Sequence, residues 1–304
     1  MVNIKEIAGL LKIMRPLNLG IAAMAMVAMR YGLNARLLDD GLSASGWVFA
    51  ESMGIMVLLM AAGNLINDYF DIKEDRINHP ERQVIGRSVP RRDLIKAHAA
   101  LSIAGMALAI DLSLRIGDWT VAALAALIGA LLWWYSSALK GTFVWGNLLV
   151  ALLTGLVPLW AALPELHAAS APEKAELLWW AAAFGCVAFG VSWVREIIKD
   201  IQDIPGDQAA GHRTLAVEWG ADRSSKAALR AQIILTLAYA AVAATWSLHF
   251  TLLSFQSYIS LMLPGLLMAM TTLFLRSPAH FQWADRTAKL TLVAGFAIAF
   301  VLPL

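Results

Sequence analysis

Nine stretches of mostly apolar residues, separated by polar loops, run the length of this chain, near residues 16–34, 47–68, 94–114, 118–136, 143–163, 177–197, 228–248, 252–275 and 287–303. A helix of about 20 such residues spans the hydrocarbon core of a bilayer. In lipid each backbone N–H and C=O must be satisfied within its own segment, which leaves runs of this kind the helix as their fold. Composition agrees, with 59% hydrophobic and 15% charged residues, where soluble domains average about half and a quarter. The expectation is an all-α, polytopic membrane protein with nine transmembrane helices, forming a single domain over residues 1–304. The N-terminal "MVNIKEIAGLLKIMRPLN" lacks a small-residue cleavage site after its apolar part and is read as retained.

The charges sort by side. Lys5, Lys12 and Arg15 precede the first run, and Lys73, Arg76, Arg82, Arg87, Arg91 and Arg92 follow the second. Lys140 follows the fourth, and Arg195, Lys199, Arg213, Arg223, Lys226 and Arg230 gather after the sixth. With Arg276, Arg286 and Lys289, these make 19 of the 24 Lys and Arg. Positive loops mark the cytoplasmic face, so the N-terminus is expected inside and the C-terminus outside. Net charge is only +2, with no basic tract interleaved with aromatics, which argues against a nucleic-acid partner. The single cysteine, Cys186, excludes an internal disulfide and reads as a small buried hydrophobe.

Two acidic blocks interrupt this apolar chain. In "GNLINDYFDIKEDRINHPER", Asp68, Asp71 and Asp75 are three and four residues apart, a spacing that puts them on one helix face with Asn64, and with Asn67 at its edge. In "REIIKDIQDIPGD", Asp200 and Asp203 share a face with Glu196 and Lys199, and Asp207 follows Pro205-Gly206, where the helix is expected to end. Like charges at this spacing repel, and something positive must offset them. Oxygen ligands with no Cys suit Mg²⁺, which bridges carboxylates to substrate phosphates. A single solvated helix end would explain either block alone; two blocks on one face argue for a site. Both runs that carry them end in an acidic helix and a polar loop, which suggests two related halves.

The residues then resemble a known family. "NDYFDIKED" is similar to the N-D-x-x-D-x-x-x-D signature of the UbiA superfamily of intramembrane prenyltransferases, and "DIQDIPGD" to its second D-x-x-D-x-x-x-D motif. "YSSALKG" with Gly146-Asn147 looks like its segment after helix 4, and "MRPLN" like its helix 1 entry. The resemblance implies nine helices around a central cavity in which Asp68, Asp71, Asp75, Asp200, Asp203 and Asp207 hold Mg²⁺ and a prenyl diphosphate. It also implies a transfer reaction that releases pyrophosphate. The chemistry fits: a diphosphate departs only when its charge is neutralised, and the allylic cation left behind needs a dry, apolar site.

Around the phosphates, Arg82, Arg87, Lys140, Arg195 and Lys199 are the expected cations, with Arg suited to bidentate contact and Lys to a point charge. Arg15 and Asn18 are candidate acceptor or phosphate contacts, and Tyr135 is a candidate to face the cation with its ring. His79 is given no role. Asp111 and Arg115 read as a structural pair, and Gly155 with Pro158 as a kink in the fifth run. For the acceptor, "REIIKDIQDIPGD…GHRTLAVEWG" looks most like the ether-lipid branch of the family, whose acceptor is geranylgeranylglyceryl phosphate. The segment "RQVIGRSVPRR" departs from the Arg-Pro-Leu/Ile-Pro-Ser-Gly of many aromatic-prenylating members. An aromatic acceptor of quinone or tocopherol type is the alternative. An ion-coupled transporter is a third reading, although transporters place their sites near the bilayer midplane.

Overall fold

A computed structural model describes residues 4–38, 41–78, 80–81, 84–167, 169–249 and 255–301, all helical or connecting. In chain order the helices are α1 (Ile4–Ile13), α2 (Pro16–Val27), α3 (Ala35–Leu37), α4 (Gly46–Phe70), α5 (Ile72–Asn78), α6 (Arg91–Ile116) and α7 (Thr120–Trp134). They continue with α8 (Trp145–Gly155), α9 (Val157–Leu166), α10 (Ala171–Ala210), α11 (Leu215–His249), α12 (Phe255–Phe274) and α13 (Phe281–Ala297). Among the described residues each expected apolar run overlaps one of these helices, and the run at 143–163 overlaps two, α8 and α9.

Among the described residues, six segments are long and apolar enough to cross a bilayer: α4, α6, α7 with the turn after it, α8 with α9, α10, and α11. The α1–α3 segment, bent by 52° between Ile13 and Pro16, makes a seventh. Two further expected spans are shorter among the described residues: α12 counts there as the apolar helix Tyr258–Phe274, and α13 carries Asp285, Arg286 and Lys289 in its first half. The protein is thus all-α and integral to the membrane, with six to seven crossings by length and composition.

Local chemistry sets several boundaries. The Ser45 hydroxyl accepts from the Val48 N–H and opens α4. Gly155 ends α8 and Pro158 enters the first turn of α9, so the expected kink falls at the interruption at Leu156, within one span. At that interruption Gly155 meets the Gly185 carbonyl: an added Cβ would lie 2.9 Å from it. Such close backbone approach suits helices in lipid, where association depends on packing and not on hydrophobic transfer. Arg115 bonds Asp111 at 2.8 Å, as the four-residue spacing predicts. Cys186 differs from expectation, being exposed on α10, where an outward-facing position on an apolar span meets lipid.

The chain divides into two compact units, neither of which is a sequence half. The first comprises residues 1–23, 44–149 and 203–214. In it α4 packs on α6 and α7, with Gly63 against Leu132 and Gly105 against Leu59. At one end of these helices Ile13, Leu65, Ile85, Val89 and Leu94 form a buried cluster that fixes α1 and the 84–89 turn against α4 and α6. Gly9 leaves no space there, since a Cβ would meet Val89 at 2.5 Å.

The second unit comprises residues 24–43, 150–202 and 215–304. Val191, Met268 and Ala288 form a core between α10, α12 and α13, with Leu235 and Tyr239 of α11 against it. A π-helical turn at Ala28–Asn34 follows α2. Arg30, on that turn, is buried and bonds Glu165 of α9 at 2.6 Å. The remaining Glu165 oxygen accepts from the Ser43 N–H and hydroxyl at 2.9 and 3.0 Å.

Candidate active site

In the first unit the sequence lays down a helix end rich in carboxylates and then supplies the cations to hold it. The α4 helix stops at Phe70, and Asp71 caps it at φ −82°, ψ 5° before α5 resumes. The three aspartates of the first block are therefore not on one uninterrupted helix. The Asp75 N–H still reaches the Asp71 carbonyl at 2.9 Å, so the one-face arrangement is bent and not lost.

Arg15 sits at the break between α1 and α2 with φ 56°, a left-handed conformation that a non-glycine residue adopts at a cost. From there its guanidinium bonds Asp68 at 2.7 Å. Asn64 holds the same break by donating to the Met14 carbonyl at 2.8 Å. Asn18 lies on the first turn of α2, its N–H donating to the Arg15 carbonyl.

Lys140 comes from the other direction. The π-helical turn Tyr135–Leu139 ends α7, and the Lys140 N–H bonds the Tyr135 carbonyl. Its ammonium pairs closely with Asp71, which also accepts from the Asn67 amide at 2.5 Å. Burial alone would lower the Lys140 pKa, but Asp71 outweighs it and holds the ammonium well above the ordinary lysine range. Half-buried Asp75 has no such ion-pair partner among the described residues. Burial, with Asp68 and Asp71 nearby, pushes its carboxyl up to about 7.

The end of the second block joins this cluster. The α10 helix does not stop at Pro205-Gly206; it runs on to Ala210, so Asp207 is helical and buried. Proline removes one in-helix bond, and side-chain bonds from α5 support the turns around it. Asn78 donates to the Asp203 carbonyl at 3.0 Å and accepts from the Gly206 N–H at 2.8 Å. Gly211, at φ 81°, then reverses the chain as only glycine does readily. The Arg213 N–H bonds the Gly141 carbonyl at 2.8 Å, which brings the 211–214 loop to the loop of Lys140. His212 lies between Glu74 (Nε2 to Oε1, 3.2 Å) and Asp207 (Nδ1 to Oδ1, 3.5 Å). Its contact with Asp207 raises the imidazole pKa against the effect of burial, with the Asp207 and Glu74 charges adding to the rise.

The first unit thus brings together Asp68, Asp71, Asp75, Asp203, Asp207, Asn64, Asn67, Arg15 and Lys140. Tyr135 stands one turn before Lys140. Arg87 is exposed on the 84–89 turn, and Arg82, like His79, lies outside the described residues. The remaining predicted residues belong to the second unit. There Arg195 bonds Asp285 of α13 at 2.6 Å, and Lys199 bonds Glu196 at 2.6 Å. Asp200 lies on α10, three residues before Asp203.

Sequence reasoning missed Glu74, Asn78 and His212. Their one local signal was the four-residue spacing of Glu74 and Asn78, which puts both on one face of α5. Two buried oxygens of the cluster, Asn67 Oδ1 and Glu74 Oε2, have no hydrogen-bond partner among the described residues. Among those residues no group of three or more His, Cys, Asp or Glu is arranged to hold a metal. The carboxylates are instead spaced by the Arg15, Lys140 and His212 side chains between them.

Comparison with known proteins places the chain. The sequence profile of the UbiA prenyltransferase family matches residues 18–299. A digeranylgeranylglyceryl phosphate synthase from Methanopyrus kandleri is 35% identical over 212 residues, 69% of each chain. The fold is similar, at TM-score 0.63 and 19% identity, to a structure described as giving insights into digeranylgeranylglyceryl phosphate synthase in membranes, over 98% of this chain and 99% of that one. A UbiA homolog from Archaeoglobus fulgidus bound to DMAPP and Mg²⁺ matches at TM-score 0.58 and 17% identity, over 96% and 99% of the two chains.

Proposed function

This chain belongs to the UbiA prenyltransferase family, and from that premise we propose a Mg²⁺-dependent transfer of a geranylgeranyl group from its diphosphate to a geranylgeranylglyceryl phosphate-type lipid, releasing pyrophosphate. The observation that carries this reading is the joining, within one unit, of the first aspartate block to Asp203 and Asp207 beside two cations, Arg15 and Lys140. The branch follows the 35% identity to the digeranylgeranylglyceryl phosphate synthase, and the metal follows the DMAPP and Mg²⁺ of the Archaeoglobus homolog.

The donor set suits Mg²⁺. It consists of carboxylates and amide oxygens, and two buried oxygens, Asn67 Oδ1 and Glu74 Oε2, lack partners among the described residues. Asp68, Asp71, Asp75, Asp203 and Asp207 are the residues that would hold it, with Asn64 and Asn67 at their side. Mg²⁺ held there would supply charge neutralisation for the leaving diphosphate. Arg15 and Lys140 exchange Asp68 and Asp71 for phosphate oxygens, and Tyr135 offers its ring to the allylic carbon as positive charge develops. The C–O bond to the diphosphate breaks with its electron pair leaving on pyrophosphate. The acceptor hydroxyl oxygen then bonds the allylic carbon and passes its proton to the released pyrophosphate. Arg87 meets the acceptor phosphate. The whole chain acts as one catalytic domain with nine crossings, its N-terminus and acidic blocks cytoplasmic and its C-terminus outside.

The test is pyrophosphate release by purified protein with geranylgeranyl diphosphate and Mg²⁺, with geranylgeranylglyceryl phosphate and 4-hydroxybenzoate as parallel acceptors. Release with the glycerophosphate and not with the phenol is the expected result. Release only with the phenol would move the protein to the aromatic branch, and cation flux in liposomes without diphosphate consumption would sink the enzyme reading.

A further inference from the structure

Three side chains outside the two aspartate motifs, Glu74, Asn78 and His212, tie Asp203 and Asp207 to the first aspartate block. Asn78 is the centre of this clasp. Its position is defined by complementarity: the Gly206 N–H can only donate, so the amide oxygen faces it, and the Asp203 carbonyl can only accept, so the amide nitrogen faces that. Both bonds fall in the four-residue interval between Asp203 and Asp207. Pro205 opens that interval by removing a helix hydrogen bond. Gly206 clears it, since a Cβ there would run into the Asn78 side chain, and Gly206 is itself buried. On the same face of α5, four residues earlier, Glu74 reaches His212, and His212 reaches Asp207. Gly141 adjoins His212 so closely that a Cβ would sit 2.6 Å from its ring. Proline, two glycines, an asparagine and a histidine–glutamate pair all serve one docking.

We propose that Asn78, seconded by the Glu74–His212 pair, is a positioning residue that sets the second aspartate block against the first, so that their carboxylates converge on one metal–diphosphate group. This rests on the reading of the cluster as a metal–diphosphate site. Asn78 touches neither reactant; it acts through the backbone of Asp203 and Gly206. Residues that orient metal ligands in this way typically change metal affinity by about 10- to 100-fold when removed.

The test uses the full-length protein in detergent, with Mn²⁺ binding followed by electron paramagnetic resonance in the presence of inorganic pyrophosphate. Asn78→Ala should bind Mn²⁺ about 10- to 100-fold more weakly than wild type. Its kcat should fall, while KM for the lipid acceptor and the thermal unfolding transition stay unchanged. Gly206→Ala is the second probe, because it pushes Asn78 away without removing a polar group. It should weaken Mn²⁺ binding in the same way, and adding Asn78→Ala to it should bring no further loss. Wild-type Mn²⁺ affinity in both folded single variants, or losses that add in the double variant, would overturn the proposal. Loss of the folding transition in either variant would make the clasp a stability element and overturn its positioning role. Absence of Mn²⁺–pyrophosphate binding by the wild-type protein would overturn both this proposal and the functional reading beneath it.

Discussion

Arg15 shows how much of the site a single residue can carry. Its backbone is left-handed, which costs an ordinary residue about 1–2 kcal/mol, and it is the one described non-glycine residue with positive φ. The strain coincides with the 52° bend that turns α1 away from α2 and with the ion pair to Asp68. Backbone and side chain can be separated by mutation. Arg15→Ala loses the ion pair and keeps the strain, whereas Arg15→Gly loses the ion pair and relieves the strain. Arg15→Gly should therefore be the more stable of the two by about 1 kcal/mol, the reverse of the usual helix preference, with both equally poor in turnover. Thermal denaturation in detergent checks this, and an alanine variant as stable as the glycine one would remove the strain argument. The sequence named Arg15, Asp68, Asp71 and Lys140, because each lies in a motif whose charge is visible on its own. It did not name Asn78, because that residue's role is a pair of bonds to backbone 125 and 128 positions away, and a lone asparagine carries no sign of them.

At the scale of elements, hydropathy located the long apolar helices but not where each one ends, and it did not mark the short α1, α3 and α5. Helix α10 begins six residues before its expected run and continues thirteen beyond it, to Ala210, because Pro205 was read by its local effect alone. Support from α5, which keeps the helix going, is tertiary and leaves no mark on local propensity. A similar tertiary link joins α10 to α13, where Asp285 accepts from Arg195 at 2.6 Å and meets Lys289 at 2.9 Å. Glu196 in turn pairs with Arg195 and Lys199. Burial alone would raise the Asp285 pKa, but Arg195 and Lys289 outweigh it and hold the carboxyl below its usual range. Such a depressed group adds stability above its unfolded pKa, near 4, and that stability is lost as pH falls through the folded value. Asp285→Asn should therefore lower the unfolding temperature at neutral pH. The gap to wild type should close as pH is brought down to about 3. A gap that stays constant over the whole range would show that the aspartate acts by shape and not by charge.

For the whole molecule, the decisive signal was which loops carry the positive charge, and that signal concerns orientation more than fold. Of the 24 Lys and Arg, 19 fall on one set of loops, leaving Arg30, Arg36, Lys96, Arg115 and Lys174. Arg30 is spent on a buried pair with Glu165 and is not available as a loop charge, so the asymmetry among exposed cations is slightly sharper than the count suggests. A cysteine reporter reads sidedness directly. Cys186 is replaced by serine, since it is the chain's single cysteine and exposed on α10. A cysteine is then placed at Arg87, on the exposed 84–89 turn, or at Lys174, exposed in the first turn of α10. A membrane-impermeant maleimide should label the Arg87→Cys protein in inside-out vesicles and not in right-side-out ones, with the opposite pattern for Lys174→Cys. Labelling of both from one side would mean that an odd number of crossings does not separate them. Reversal of both would put the aspartate blocks outside, away from a cytoplasmic supply of prenyl diphosphate, and the positive-inside argument would fail together with the orientation it supports.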